Sequence, residues 1–247
     1  MTAPTIAEID VADDPGAWRW AGFGVDAGGR CRVGSTLVQV GHDGGRGGRG
    51  GRGGRGIVGW SLTGLPGLPT LPPLPGGEID GLPTRVSPAG PVTEPVAVHD
   101  NGVVQIDHVV VMTPDLDRTT EALERVGVVA RRTREVPVRP GDLGRVQRFF
   151  RLGEVILELV GPAGPAGDGP ATFWGLAYTV ADLDATVRRL GTAAVGDARD
   201  AVQPGRRIVS LRRGLLAVPT AFMSPDLGAG HGPDAGHGAD GGPGEGR

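Results

Sequence analysis

Two stretches of this chain repeat one phrase 67 residues apart: "VVVMTPDLDRTTEALERVG" around Asp115 and "LAYTVADLDATVRRLG" around Asp182. In each, a run of strand character enters the tripeptide Asp-Leu-Asp and then apolar residues recur at helical spacing. In the first copy Ile106 to Met112 reads as a strand, Thr113 as the cap of a helix with Pro114 in its first turn, and Leu116, Thr120, Leu123 and Val126 as its apolar face. A strand-helix unit leaves one apolar sheet face uncovered, so two copies must bury theirs together.

Each copy also has closing strands. After the first helix come "VVARRTREV", "RVQRFFRLG" and "VILELV", the last ended by Gly161 and Pro162, which makes the unit βαβββ. The second copy opens at Phe173 and closes with "RRIVSLRR" and "AVPTAFM", ended by Ser224 and Pro225. The expected fold class is α+β, with paired βαβββ modules over residues 105–225 forming a curved sheet around a cleft. Residues 1–65 read as a degenerate N-terminal βαβ-type module with a Gly/Arg-rich loop at 44–56. Residues 66–104 read as a Pro/Gly-rich linker and residues 226–247 as a disordered tail.

Composition bears on the partner. The 46 glycines and 22 prolines would suggest disorder if spread evenly, but they concentrate in the loop, the linker, a segment after Gly161 and the tail. The loop's Gly-Gly-Arg triplets supply Arg46, Arg49, Arg52 and Arg55 with no interleaved aromatic residue for stacking, and the formal net charge is -3, so nucleic acid is not an expected partner. Every basic side chain is arginine, which discounts the arginine excess as a functional signal. Cys31, in "GRCRVG", is the lone cysteine and reads as a strand residue. The N-terminus is acidic without an apolar core segment, and no apolar run reaches membrane-spanning length. A soluble cytoplasmic protein with a small-molecule ligand is expected.

Two residues violate their local pattern. Glu158 lies inside the apolar "VILELV", so its carboxylate needs a proton, a cation or a metal. His108 lies in "IDHVVVM", where alternation groups it with Ile106, Val110 and Met112. With the first and last strands of the unit side by side, imidazole and carboxylate can share a divalent ion. Glu158 can also pair with His108 alone, or with Arg148 or Arg151 on the preceding strand.

The segments "IDHVVVMTPDLDRT", "RFFRLGEVILELVGP", "FWGLAYTVADLDAT", "QPGRRIVSL" and "VPTAFMSP" resemble, in order and spacing, the glyoxalase / bleomycin-resistance / extradiol-dioxygenase superfamily, also called vicinal oxygen chelate. The resemblance implies paired modules around a cleft in which a divalent metal binds substrate oxygens, with lyase, isomerase or dioxygenase activity. His108 and Glu158 fall on the ligand positions of one module. The corresponding positions of the other, Gly175 and Ala221, cannot ligate through a side chain. Two expectations follow. In one, a divalent metal sits at His108 and Glu158, with Glu158 doubling as a catalytic base. In the other, a noncatalytic protein of bleomycin-resistance type holds its ligand by apolar and aromatic contact, with Phe149, Phe150, Trp174 and Tyr178 as candidates. Arg148, Arg206 and Arg207 are candidate anchors for an anionic ligand. A homodimer that exchanges modules is compatible with either. A third reading is an interaction protein that uses the arginine-glycine and proline-rich segments.

Overall fold

The computed structural model describes residues 3–42, 55–66, 74–87, 97–136 and 144–226. Most of the Gly-Gly-Arg loop, parts of the expected linker and nearly all of the expected tail lie outside the described residues.

The repeated phrase builds the larger sheet. Its first copy is β7 (Val103–Met112), α2 (Leu116–Arg125), β8 (Ala130–Val136), β9 (Arg145–Leu152) and β10 (Val155–Pro162). Its second is β11 (Thr172–Val180), α3 (Leu183–Leu190), β12 (Arg199–Asp200), β13 (Arg207–Ser210) and β14 (Thr220–Met223). The strand order is β12-β13-β14-β11-β7-β10-β9-β8, so the two opening strands meet antiparallel at the centre and each module extends outward. The paired βαβββ fold expected from sequence is present.

The two Asp-Leu-Asp tripeptides do the same local work. The carboxylates of Asp115 and Asp182 each accept the backbone N–H three residues on, from Arg118 at 3.0 Å and Ala185 at 2.9 Å. This corrects the expected cap at Thr113. Pro114 disfavours helical geometry in the residue before it, and the Thr113 hydroxyl instead bonds Asp115 and Thr119.

The first part of the chain departs further from expectation. It comprises β1 (Thr5–Ala12), α1 (Pro15–Trp20), β2 (Arg30–Val33), β3 (Thr36–Val40), β4 (Gly56–Thr63), β5 (Glu78–Ile79) and β6 (Leu82–Val86). They form one sheet in the order β2-β3-β1-β4-β6-β5. The same order and strand senses run through the middle of the larger sheet as β9-β10-β7-β11-β14-β13. The N-terminal region is therefore a shortened pair of modules rather than one degenerate module. The segment 66–104 is not wholly linker, because β5 and β6 complete this sheet. Their hairpin turns on Asp80 and Gly81, with φ of 47° and 87°. Asp-Gly suits a two-residue turn that needs left-handed backbone at both positions.

The two sheets share a continuous buried core. Phe23 meets Tyr178 at a ring separation of 5.0 Å, and Trp60 meets Phe173 edge-on at 5.2 Å. His99, expected in a linker, is buried and braces the N-terminal region. Its Nδ1 accepts from Gly24 N–H at 3.0 Å and its Nε2 bonds the Arg32 carbonyl at 2.9 Å. Ser35 N–H and hydroxyl both donate to Glu154 on the β9–β10 turn. Among the described residues no helix is long and apolar enough to cross a membrane.

Candidate functional site

The concave face of the eight-stranded sheet encloses a cavity of about 630 Å³, within the size range of small-molecule sites. Cross-strand pairing determines which side chains face it. His108 is opposite Ile156 on β10 and Ala177 on β11, while Glu158 is opposite Val110 and Phe149. His108 Nε2 lies 3.5 Å from Glu158 Oε2. The two residues singled out by sequence therefore adjoin inside one cleft.

A β-bulge in β7 adds a third group. Ala177 pairs with His108 but the next residue, Tyr178, pairs with Ile106, so Asp107 is an extra residue with no cross-strand partner. Ile106 consequently shares the core face with Tyr178, which corrects the grouping of Ile106 with His108. Asp107 lines the cavity with His108 and accepts from its Nδ1 at 3.0 Å. Its other oxygen accepts from Arg206 Nη2 at 2.6 Å and from the Thr179 hydroxyl at 2.9 Å. Burial alone would raise the Asp107 carboxyl, but the hydrogen bonds from His108 and Arg206 and the guanidinium charge hold it below the ordinary carboxylate range. Gln147 completes the chain by donating to Glu158 Oε1 at 2.5 Å.

Other candidates lie elsewhere. Arg148 reaches α2, where it bonds Asp117 and the Thr120 hydroxyl, because β9 presents alternate residues to opposite faces. Phe150 is an exception: it is buried opposite Leu157 and lines the cavity beside its neighbour Phe149, which stands opposite Glu158. Tyr178 is fully buried against Phe23 and Phe222. Trp174, at a register shift in β11, is exposed and does not line the cavity. Arg206 is buried as the partner of Asp107, and Arg207 pairs with Asp184 outside the cleft. Arg151 bonds the Gly153 carbonyl rather than Glu158. The sequence reading missed Asp107, Gln147 and the cavity-lining Arg132, Arg134 and Arg199. Only Asp107 carried a local signal, as a second charged residue within an apolar strand.

The sheet's symmetry tests the fit to a divalent metal. His108 pairs with Ala177 and Val110 with Gly175, so the central pairing maps onto itself when the modules are exchanged, and Gly175 occupies the place of His108. Glu158 beside Val110 corresponds likewise to Ala221 beside Ala177. Neither Gly175 nor Ala221 offers a side-chain ligand. A Cβ on Gly175 would also stand 2.5 Å from the Pro219 carbonyl oxygen, which is held in place by the Leu176 N–H at 3.0 Å. Catalytic sites of this kind draw on about three protein ligands, whereas His108 Nδ1 and Glu158 Oε1 are already engaged and only Nε2 and Oε2 remain. Among the described residues no cluster of three His, Cys, Asp or Glu side chains is arranged to hold an ion. The residues present do not fit the metal.

Residues 107–207 match the family model described as Glyoxalase/Bleomycin resistance protein/Dioxygenase superfamily. Among solved structures, a mutant 4-hydroxymandelate synthase from Streptomyces coelicolor is similar at 14% identity and a TM-score of 0.58, covering 89% of this chain and 92% of that one. A catechol 2,3-dioxygenase is similar at 12% identity and a TM-score of 0.52, with coverage of 90% and 86%. Methylmalonyl-CoA epimerase from Mycobacterium tuberculosis is 22% identical over 51% of this chain and 90% of that one, with a TM-score of 0.38. At these identities the likeness is one of fold. No curated protein matches the sequence significantly.

Proposed function

We propose that this chain, a member through residues 107–207 of the Glyoxalase/Bleomycin resistance protein/Dioxygenase superfamily, binds a small organic molecule in the cleft of its eight-stranded sheet without a metal. The observation that carries this reading is the site's asymmetry. One module contributes His108 and Glu158 to a cavity of about 630 Å³, and the mirror positions are Gly175 and Ala221. Affinity then comes from the apolar floor, which includes Phe149, Ile156 and Met223, and from hydrogen bonds at its polar centre.

The Asp107–His108 contact supports a second reading, proton transfer. A carboxylate on Nδ1 fixes the ring orientation and directs Nε2 into the cleft, where a neutral ring offers a lone pair to a bound molecule and a protonated ring donates to Glu158. The work assigned to the chain's own residues is thus to orient the imidazole, hold a proton at Nε2 and exclude water over the apolar floor.

The test pairs elemental analysis of the purified protein with titration of a neutral fluorescent probe, N-phenyl-naphthylamine, in the presence and absence of a chelator. Chelator-insensitive binding that is lost in Ile156→Trp, which fills the floor beside His108, is expected. Stoichiometric divalent metal that disappears in His108→Ala, or probe binding indifferent to Ile156→Trp, would overturn the reading.

A further inference from the structure

Several arginines in this structure pair with an acidic side chain. Arg85 pairs with Asp10, Arg118 with Asp80, Arg148 with Asp117 and Arg206 with Asp107. Four arginines along the cleft do not; Arg131, Arg132 and Arg199 are exposed and Arg134 is partly buried. Arg131, Arg132 and Arg134 on β8 and Arg199 on β12 all line the cavity, and none has a side-chain partner among the described residues. Neither carboxylate at the cavity's centre forms an ion pair with them: Asp107 is paired with Arg206, and Glu158 accepts from Gln147 and lies 3.5 Å from His108.

Their placement is also particular. β8 and β12 are the opposite edges of the eight-stranded sheet. At the usual spacing between neighbouring strands, the edges of such a sheet laid flat would be about 34 Å apart. Both nevertheless border one cavity, so the sheet curls until its two edges face each other across the mouth. The cross-strand register orders what lies between. On one side Arg132 stands beside Phe149, and Phe149 beside Glu158. On the other, Arg199 stands beside Ile208, and Ile208 beside Met223. Phe149 thus stands between Arg132 and the His108 centre, and Ile208 and Met223 between Arg199 and it, while Arg134 stands beside Gln147.

We infer that the cleft takes an elongated dianion: an apolar, preferably planar body with an acidic group at each end, one held by Arg132 and Arg134 and the other by Arg199. Carboxylate and phosphate groups are the chemistry these guanidinium forks recognise. The body lies over Phe149, Ile156 and Met223, and its middle passes His108. This deepens the cleft-binding reading above and rests on it.

The experiment uses three para-linked biphenyls of one shape, carrying carboxylates at both ends, a carboxylate at one end and a hydroxymethyl group at the other, or hydroxymethyl groups at both ends. Each is titrated calorimetrically into the full chain. The dicarboxylate is expected to bind about tenfold or more tighter than the monocarboxylate, with an advantage that shrinks as salt is added. Arg199→Gln and the double variant Arg132→Gln with Arg134→Gln should each bring the dicarboxylate down to the level of the monocarboxylate and leave the diol unchanged. No hydrogen bond or ion pair among the described residues involves these side chains, so the variants should melt as the parent does. Equal binding of all three compounds would overturn the dianion while the cleft reading stands. Binding of none of them, nor of the neutral naphthylamine, would remove both.

Discussion

Arg206 Nη2 donates to Asp107 Oδ2 across 2.6 Å, and this buried ion pair ties the bulge of β7 to the start of β13. The same guanidinium holds the Ser224 carbonyl at 2.9 Å, so one side chain joins the first strand of one module to the closing strands of the other.

Removing one partner of a buried pair leaves the other charged without compensation. Arg206→Met should therefore cost roughly 3–5 kcal/mol in denaturant unfolding. The paired Asp107 carboxyl is held below its ordinary value of 3.8, so its contribution is complete above that pH and is lost as the pH falls below it. Asp107→Asn should flatten the acid limb of the stability curve. A limb of unchanged steepness would show that this carboxylate is not linked to folding.

His99 gives a pH dependence of the same sign at a higher pH. Burial, by desolvating the charged ring, lowers its imidazole below the ordinary value of 6.5 even though the Arg32 carbonyl and Asp100 favour the charged form, and Nδ1 accepts the Gly24 N–H only while it carries no proton. The unfolded chain then takes up a proton that the folded chain resists. Stability should be full above about pH 6.5 and decline as the pH is lowered through that value. Comparing unfolding midpoints on either side of that value for the parent and His99→Gln checks this, and only the parent should show the decline.

Cys31 is buried in β2, and burial pushes its thiol up to about 12. It should be inert to aromatic disulfide reagents in the native protein and react once per chain in denaturant. Rapid native labelling would mean that the N-terminal sheet opens readily.

Leu82 tests the strand pair found within the expected linker. It is fully buried at the start of β6. Leu82→Ala should destabilise the protein by about 2–5 kcal/mol, as for a core leucine. A change of only a few tenths would mean that this hairpin adds little to the fold.

At the metal-ligand positions, Ala221 differs from Gly175. It is only partly buried, in the same cross-strand row as His108. Ala221→Glu should create a third ligand and confer chelator-sensitive zinc or manganese binding, measured by calorimetry, where the parent shows none. Identical titrations of the two proteins would mean that the His108–Glu158 geometry cannot be recruited.

What could be read from sequence was set by short-range pattern. The Asp-Leu-Asp repeat located both helices and the module boundaries, because a cap and the apolar stripe after it are local. His108 and Glu158 stood out for the same reason, each being polar within an apolar strand. The rest depended on pairing between distant segments. The extra residue at Asp107 is defined only by its register against β11, and that register also moves Ile106 to the core face. The facing of Arg148 and Tyr178 follows from how their strands dock. The Asp80–Gly81 turn was local but was masked by the prolines and glycines around it.

The Pro219 carbonyl over Gly175 has a historical implication. At Ala221 a single codon change restores a carboxylate, but at Gly175 any side chain meets a main-chain oxygen that is itself engaged by the Leu176 N–H. Reversal there would require β14 to shift along with the substitution. If an ancestor of this chain chelated a metal with both modules, its departure passed through a ratchet, and its descendants are freer to diversify the ligand than to regain the ion.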